Sequence, residues 1–310
     1  MSSPSEHEFL FITAGEEGTR IDKLLANRFP EYSRTYFQYL LDIGCVLLNG
    51  ERVKKRMAPD EGDEIEICFQ ATPEASIAPE KIPLDILYED DHILAVNKPA
   101  GMVVHPAPGQ WSGTFVNALL SHCSDLAPGS DPLRPGIVHR LDKETTGLLL
   151  AAKTTTAHQK LIEAFSTRKM QKLYLAVCHG RPANALINVP IGRHPVHRKE
   201  MTVLPDGREA ITEVQLAACN DKFSLVLAKP KTGRTHQIRV HLKHVRAPVV
   251  GDKIYSKSNT ANRQLLHAYR LTFEHPITKA SIRLVAPIPE DMKGWIRKLC
   301  GPSLCAPALS

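Results

Sequence analysis

Apolar residues between positions 18 and 69 recur first at helical spacing and then with the two-residue period of a strand. Ser33 has the side chain of a good helix N-cap and separates two helical patterns. Asn49-Gly50 is a strong signal for a hairpin turn, and Glu64-Ile65-Glu66-Ile67 alternates as a half-buried strand does. The pattern predicts two helices followed by a small hairpin-rich sheet. The apolar positions of the helices are Ile21, Leu24, Leu25, Phe29, Phe37, Leu40 and Leu41.

Residues 70–83 contain three prolines and little periodicity, which is typical of a linker. From residue 84 to residue 300, predicted strands outnumber helices and do not alternate with them strictly, which disfavours a doubly wound parallel sheet. We predict an α+β fold with a mixed, largely antiparallel sheet and peripheral helices. Residues 301–310 are predicted to be a disordered tail. The predicted strands cover 84–88, 92–96, 173–178, 211–217, 223–227, 265–273 and 282–285; the helices cover 157–165, 235–244 and a short segment from the cap Thr114 to His122.

Positive charge is concentrated in three segments of the chain, although the net charge is only +6. Residues 18–58 hold eight Lys or Arg and four acidic residues. Residues 168–200 hold seven Lys or Arg and one acidic residue, and residues 229–257 hold eight Lys or Arg and one acidic residue. If these segments converge on one face, they form a site for a polyanion such as a nucleic acid. The alternative is that each segment is a solvated surface.

The seven cysteines include no C-x-x-C pair and no zinc-like spacing, and most lie among apolar residues. This usage predicts a reduced, cytoplasmic protein. The N-terminus lacks the basic and apolar regions of a signal peptide, and no apolar run approaches the roughly 18 residues of a membrane span. We therefore expect no membrane association.

The segment His139-Arg140-Leu141-Asp142 is the strongest candidate for chemistry. It places Asp142 among basic side chains in a turn that leads into the apolar run 148–152, which predicts a strand buried on both faces. A carboxylate is costly to keep charged in such a place. The sequence thus favours a functional role for Asp142 over the commoner role of an aspartate that caps a turn.

Several long motifs, in the same order along the chain, resemble pseudouridine synthases of the RluA family, and most of all the branch that acts on the large ribosomal subunit. They are H-R-L-D-K-E-T-T-G-L-L-L from residue 139, V-N-K-P-A-G-M-V-V-H-P at 96–106, K-x-Y-L-A-V at 172–177, K-T-G-R-T-H-Q-I-R-V-H-L at 231–242 and L-L-H-A-Y-R-L-x-F-x-H-P at 265–276. Residues 18–69 resemble the S4 RNA-binding domain through R-I-D-K-L-L, S-R-x-x-x-Q-x-L-L-x-x-G and V-L-L-N-G-E-R-V.

The resemblance implies an isomerase that detaches uracil from ribose in RNA, turns the base and reattaches it through carbon. No redox step is involved, so neither a small-molecule cofactor nor a metal is expected. Asp142 would be the essential carboxylate, attacking the sugar or the base or steering an elimination. In the family, an arginine pairs with this aspartate, and Arg234 is the residue we match to it. A tyrosine, here Tyr174, stacks on the target base and is a candidate general base.

The resemblance also implies which residues contact RNA. Arg140 would fill the gap that a flipped base leaves in the stack. His139 would either contact phosphate or only satisfy the turn. In the S4-like domain, the basic residues outside the apolar stripes are expected to bind RNA: Arg20, Arg34, Lys54, Lys55 and Arg56.

We expect the partner to be ribosomal RNA of the large subunit (23S), free or in a pre-ribosomal particle. Three alternatives remain. The first is the same chemistry on transfer RNA. The second is a non-catalytic RNA-binding factor of ribosome assembly, which intact Asp142, Tyr174 and Arg234 disfavour. The third is a hydrolase that uses Asp142 with His139, which the lack of an oxyanion-hole glycine pattern disfavours.

Overall fold

A computed structural model describes residues 6–30, 32, 34–69, 77–106, 110, 112–123, 126, 134–197, 200–256 and 260–300. The predicted cap Ser33, residues 70–76 of the predicted linker and the predicted disordered tail lie outside the described residues. The described residues form two compact units. One ends at Ile77 and the other begins at Ala78.

The first unit is a four-stranded antiparallel sheet with two helices. Its elements are β1 (Glu6–Phe11), α1 (Ile21–Arg28), α2 (Arg34–Ile43), β2 (Val46–Leu48), β3 (Glu51–Arg52) and β4 (Glu64–Phe69), with the strand order β1-β4-β2-β3. Both helices bury the apolar positions that their spacing predicted, among them Leu25, Phe37 and Leu40. β1 was not predicted, because its sequence, Glu-His-Glu-Phe-Leu-Phe, has three polar residues followed by three apolar ones and lacks the alternation of a half-buried strand.

The second unit is built on one nine-stranded mixed sheet in the order β5-β6-β7-β14-β8-β13-β12-β9, with β15 paired to β14. Every pair is antiparallel except β7 with β14. The predicted α+β fold with a largely antiparallel sheet is therefore confirmed. The strands of this sheet are β5 (Ile86–Glu89), β6 (Ile93–Lys98), β7 (Thr146–Ala152), β8 (Gln171–His179), β9 (Ala185–Asn188), β12 (Ile211–Cys219), β13 (Phe223–Pro230), β14 (Leu266–Glu274) and β15 (Ser281–Val285). Two short strands, β10 (Ile191–Arg193) and β11 (Met201–Val203), pair with each other in a separate antiparallel sheet.

Four helices belong to this unit: α3 (Phe115–His122), α4 (Thr155–Ser166), α5 (Gln237–His244) and α6 (Glu290–Cys300). Thr114 caps α3 as predicted, because its hydroxyl accepts the N–H of Asn117. The short strands β9 to β11 and helix α6 were not predicted. Among the residues that the structure describes, no helix has both the length and the apolar content needed to cross a membrane.

Strand β7 lies between β6 and β14 in the sheet, and all seven of its residues are buried. It runs parallel to β14 at Gly147, which pairs with Ala268. Gly147 has a φ of 106°, and a Cβ there would collide with the backbone of Ala268. Only glycine allows the two strands to approach this closely. The turn that holds Asp142 enters the core immediately before this point.

Candidate active site

The turn around Asp142 is held by hydrogen bonds to its backbone. The N–H of Thr145 donates to the carbonyl oxygen of Asp142 over 3.0 Å. Lys98 is fully buried at the end of β6, and its Nζ donates to the carbonyls of Pro99, Met102 and Lys143 over 2.7, 3.0 and 3.0 Å. Burial lowers the pKa of Lys98 to about 7. Three carbonyl acceptors match the three N–H groups of an ammonium, so the geometry of the turn favours the charged form of Lys98 against the cost of its burial.

Two residues that precede β14 hold the far side of the same turn. Arg263 donates from Nη1 to the carbonyl of Glu144 over 3.2 Å and makes a two-point ion pair with Asp291 of α6, at 2.6 and 2.8 Å. The amide of Gln264 donates to the hydroxyl of Thr145 over 2.7 Å. The turn is thus supported from β6, from the segment before β14 and from α6, and this fixes where the Asp142 carboxylate lies.

The side chain of Asp142 pairs with Arg239. The Nη1 of Arg239 donates to Oδ2 of Asp142 over 2.8 Å, while Nε and Nη2 donate to the buried Asp252 over 2.7 and 2.9 Å. Burial disfavours charge on both buried partners. Even so, their mutual hydrogen bonds keep the pKa of Arg239 above its ordinary value and the pKa of Asp252 below it. Asp252 therefore anchors an arginine whose remaining donor orients Asp142.

The predicted pairing of Arg234 with Asp142 is wrong. Arg234 lies in the loop before α5, and its Nε donates to the carbonyl of Glu209 over 3.0 Å. Arg239 lies in the first turn of α5, where its guanidinium reaches Asp142. Both arginines belong to the motif K-T-G-R-T-H-Q-I-R, so the segment was identified correctly and the residue was not. Asp252, which sequence reasoning also missed, follows Gly251 with no motif of its own.

Asp142 and Tyr174 line one cavity of about 390 Å³, a volume suited to a small ligand or a single nucleotide base. Tyr174 lies on β8 between Ala228 of β13 and Ala268 of β14, whose small side chains leave space beside its ring. Burial, and after it the negative charge of Asp142, raise the pKa of Tyr174 well above its ordinary value. The hydroxyl is therefore protonated at neutral pH, which disfavours a phenolate acting as the general base.

Positive side chains from two of the three basic segments meet at this cavity, because Lys172, Arg234 and Arg239 all line it. Arg140 is exposed at its rim. A second cavity, of about 340 Å³, shares Arg140 and Asp142 with the first. The predicted insertion of Arg140 into an RNA stack requires an exposed guanidinium beside a cavity, and Arg140 has this position.

His139 has a structural contact and not a phosphate-binding geometry. Its Nε2 accepts the backbone N–H of Leu150 over 2.9 Å, and its ring stacks on Phe165 with centroids 4.7 Å apart. Burial, and after it the charge of Lys172, lower the pKa of His139 to about 3. The ring is neutral and carries its proton on Nδ1. The sequence left two roles open for His139, contact with phosphate and support of the turn. The structure favours support of the turn, because a neutral His139 has no positive charge with which to attract phosphate.

The predicted RNA-binding residues of the first unit surround a buried carboxylate. Asp22, at 0% exposure, accepts hydrogen bonds from Arg20, Arg34 and Gln38. The two arginine side chains remain 43% and 46% exposed. Lys54 and Arg56 are exposed, whereas Lys55 forms an ion pair with Asp42 at 2.9 Å. Arg20 and Arg34 thus present oriented positive charge at the surface.

Among the described residues, one group of side chains has the composition of a metal site: Glu89, His122 and Cys123, whose ligand atoms lie within 4.8 Å of one another. Glu89 already pairs with Lys153 and with His122, each at 2.9 Å. The ammonium of Lys153 opposes a cation at this position. The group does not line the cavity that holds Asp142.

The arrangement around Asp142 suits chemistry on a small molecule or group that the cavity holds beside the ring of Tyr174. One carboxylate oxygen is held by Arg239, and Asp142 lines the cavity beside an aromatic ring. A carboxylate placed in this way can attack an electrophilic carbon or stabilise a cation that develops near it.

Comparison with known proteins decides which chemistry this is. The family model described as RNA pseudouridylate synthase matches residues 92–244, and the S4 domain model matches residues 19–65. An RNA pseudouridine synthase of Bacillus subtilis is 43% identical over 294 residues, which cover 93% of this chain and 97% of that protein. The chain belongs to the RNA pseudouridine synthase family.

Two further relatives of this pseudouridine synthase support the assignment. The ribosomal large subunit pseudouridine synthase D of Xylella fastidiosa is 42% identical over 299 residues, covering 91% of this chain and 89% of the relative. The solved structure titled human RNA pseudouridylate synthase domain containing 4 has a TM-score of 0.55 and 25% identity, covering 69% of this chain and 93% of that one. The chain is an isomerase that acts on RNA and carries an S4 RNA-binding domain.

Proposed function

We propose that this pseudouridine synthase modifies uridines of large-subunit ribosomal RNA and uses Asp142 as its essential catalytic group, without a cofactor. The observation that carries the proposal is the Asp142–Arg239–Asp252 cluster, which holds the carboxylate of Asp142 at a cavity lined by Tyr174. The target is supported by relatives of similar length that are named as ribosomal large subunit pseudouridine synthase D. A protein that modifies ribosomal RNA acts where ribosomes are assembled, so we expect it in the cytoplasm.

In the proposed mechanism, each residue of the site has one task. Arg140 fills the gap left when the target uridine leaves the RNA stack. The ring of Tyr174 holds the uracil, and its protonated hydroxyl donates a hydrogen bond. Asp142 acts on the bond between uracil and ribose, while Arg239 donates a hydrogen bond to its carboxylate and fixes one of its oxygens. The S4 unit adds affinity through Arg20 and Arg34, whose charges bind phosphate.

Pseudouridine mapping in cells with and without the gene tests the proposal. We expect specific pseudouridines of large-subunit ribosomal RNA to disappear on deletion and to return with the wild-type gene but not with Asp142→Asn. Loss of transfer RNA pseudouridines alone would replace the proposed target. An unchanged pattern in both RNA classes would refute it. Comparing isolated RNA with pre-ribosomal particles as substrates then separates the two possible forms of the target.

A further inference from the structure

His236 lies beside Asp142 in a conformation that the fold enforces. It is the residue before α5 and has a φ of 56°, in the left-handed region that only a few per cent of non-glycine residues adopt. Its Nε2 lies 4.0 Å from Oδ1 of Asp142, the oxygen that Arg239 does not hold. Its Nδ1 lies 2.8 Å from the hydroxyl of Tyr255. The strained backbone thus places one ring nitrogen on Tyr255 and turns the other toward the catalytic carboxylate.

The hydrogen bonds of Tyr255 determine which nitrogen of His236 carries the proton. The backbone N–H of Met201 donates to the Tyr255 hydroxyl over 2.8 Å, so this hydroxyl can direct its own proton to Nδ1 of His236. Burial lowers the pKa of His236 below its ordinary value. The ring is neutral at pH 7, and its single proton lies on Nε2, facing Asp142. The opposite tautomer would point a lone pair at a carboxylate.

The space between Nε2 and Oδ1 fits one oxygen atom. A separation of 4.0 Å is too long for a direct hydrogen bond. An oxygen about 2.8 Å from both atoms would form an angle of about 90° between them, which a hydroxyl tolerates. A hydroxyl is also the group that can accept from an N–H and donate to a carboxylate through a single atom. Uracil offers its donor and its acceptors on different atoms, so the base is not the matching ligand.

We propose that His236 and Asp142 together bind the 2′-hydroxyl of the target ribose and thereby select RNA over DNA. This inference rests on the proposed function, in which Asp142 acts at the bond between uracil and C1′. Inside an RNA strand the 3′ and 5′ oxygens are esterified, so the 2′-hydroxyl is the only free hydroxyl of the ribose, and it is attached to the carbon next to C1′. It is also the group by which a site distinguishes RNA from DNA.

Changing one substrate atom tests the proposal without changing the protein. The probe is a synthetic RNA fragment that contains one mapped uridine, made with ribose or with 2′-deoxyribose at that nucleotide only. We expect the 2′-deoxy substitution to lower single-turnover kcat/KM of the wild-type enzyme about ten- to hundredfold, since it leaves His236 and Asp142 without their shared partner. The same substitution at a neighbouring nucleotide is the control. Equal rates on the ribose and deoxyribose targets would overturn the proposal.

Two isosteric variants then assign the effect to His236. In His236→Asn, the amide occupies roughly the place of Nδ1, asparagine tolerates the positive φ, and no donor faces Asp142. In His236→Gln, an amide N–H can occupy the place of Nε2. We expect the ratio of ribose to deoxyribose rates to fall to within about twofold of one for the Asn variant and to remain large for the Gln variant. A ratio in His236→Asn equal to that of the wild type would overturn the role of His236.

The failure of this inference can be separated from the failure of the proposed function. If Asp142→Asn is inactive while the wild-type enzyme treats ribose and deoxyribose targets alike, only the 2′-hydroxyl contact is refuted. If Asp142→Asn turns over at the wild-type rate, the proposed role of Asp142 fails first. Melting temperatures of each variant show whether a change in rate comes from loss of folded protein.

Discussion

The two units of this protein each contain an arginine–aspartate cluster, and the clusters are built in opposite ways. In the S4 unit the carboxylate of Asp22 is fully buried, and the arginines around it are 43% and 46% exposed. In the catalytic unit the guanidinium of Arg239 is buried at 5% exposure, and Asp142 is 19% exposed at a cavity. The same ion pair is thus used once to present positive charge and once to present negative charge.

In both clusters the buried partner is the anchor, and the accessible partner is the one that can meet a ligand. A buried charge needs full compensation, which Asp22 receives from Arg20, Arg34 and Gln38. Arg239 receives it from Asp252 and Asp142. The accessible groups are fixed in direction but stay able to meet a ligand. In one unit this favours RNA phosphate, and in the other it favours the reacting nucleotide.

Removing the anchor of the catalytic cluster is expected to lower both the stability and the activity of the protein. Arg239→Met leaves Asp252 buried without its partner, so we expect the free energy of unfolding to fall by roughly 3–5 kcal/mol. We expect pseudouridine formation, corrected for folded protein, to fall about 10² to 10³-fold. Arg234→Met is the matched control and should cost far less in both measurements. An Arg239→Met enzyme as active and stable as Arg234→Met would contradict the assignment of the anchor.

Two substitutions of Tyr174 test whether its ring or its hydroxyl is the group that matters at the cavity. If its ring holds the base, Tyr174→Leu should lower kcat/KM by up to about a hundredfold, because stacking on a base contributes roughly 1–3 kcal/mol. Tyr174→Phe keeps the ring and should lose less activity than Tyr174→Leu in single-turnover assays. Equal loss in both variants would show that the hydroxyl, and not the ring, is the important group.

The S4 cluster should affect binding and not chemistry. Arg20→Ala or Arg34→Ala is expected to weaken RNA binding several-fold and to reduce the slope of log K against log salt by about 0.7 to 0.9 for each phosphate that the variant no longer neutralises. Single-turnover rates at saturating enzyme should not change. Arg28→Ala, which removes the same charge from an ion pair with Glu16 in the same unit, is the control. Identical slopes for all three variants would mean that Arg20 and Arg34 bind no phosphate.

The stability of the two units should also depend differently on pH, and we expect these effects to be smaller than those of the substitutions above. Burial lowers the pKa of His139 to about 3 and of His267 to about 4, whereas an unfolded histidine titrates near 6.5. The unfolded chain therefore binds more protons in this range. The stability that these histidines contribute is complete above pH 6.5 and decreases as the pH falls, by at most about 1.4 kcal/mol per pH unit for each. In the S4 unit the pKa of Asp22 is below 3.8, so its contribution is lost only at lower pH.

Tryptophan fluorescence monitors the catalytic unit, since the two tryptophans of the chain, at positions 111 and 295, both follow the S4 unit in the sequence. Denaturant unfolding between pH 7 and pH 4 should show a falling free energy of unfolding in the wild type. His139→Gln keeps a hydrogen-bond acceptor but does not titrate, so it should reduce the slope. A free energy of unfolding that stays constant over this range would contradict the pKa assigned to His139.

Much of the fold could be predicted because its elements carry strong local signals. The cap Thr114, the buried run of β7 and the alternating strand β4 are each specified by neighbouring residues. The strands β9 to β11 are only three or four residues long, and no apolar pattern of that length stands out. Strand β1 forms only through its pairing with β4, which is distant in sequence.

Only part of the candidate site could be predicted, because some of its residues come together only through tertiary structure. Asp142 and Tyr174 could be located from their motifs, but the choice between Arg234 and Arg239 depends on where α5 begins. The sequence held one signal in favour of Arg239, because it lies between Ile238 and Val240 in an apolar stretch and would need an acidic partner if buried. Asp252, 13 residues further along the chain, is that partner only because of tertiary structure.

The most direct test of the account compares RNA binding and chemistry in Asp142→Asn. The substitution keeps the size of the side chain and an oxygen for Arg239, but it removes the negative charge that faces the cavity. We predict that the purified variant binds the target RNA within about threefold of wild type and forms pseudouridine about 10⁴-fold more slowly in a single turnover, or not at all. Pseudouridine formation at the wild-type rate would contradict the central claim that Asp142, held by Arg239, is the catalytic group.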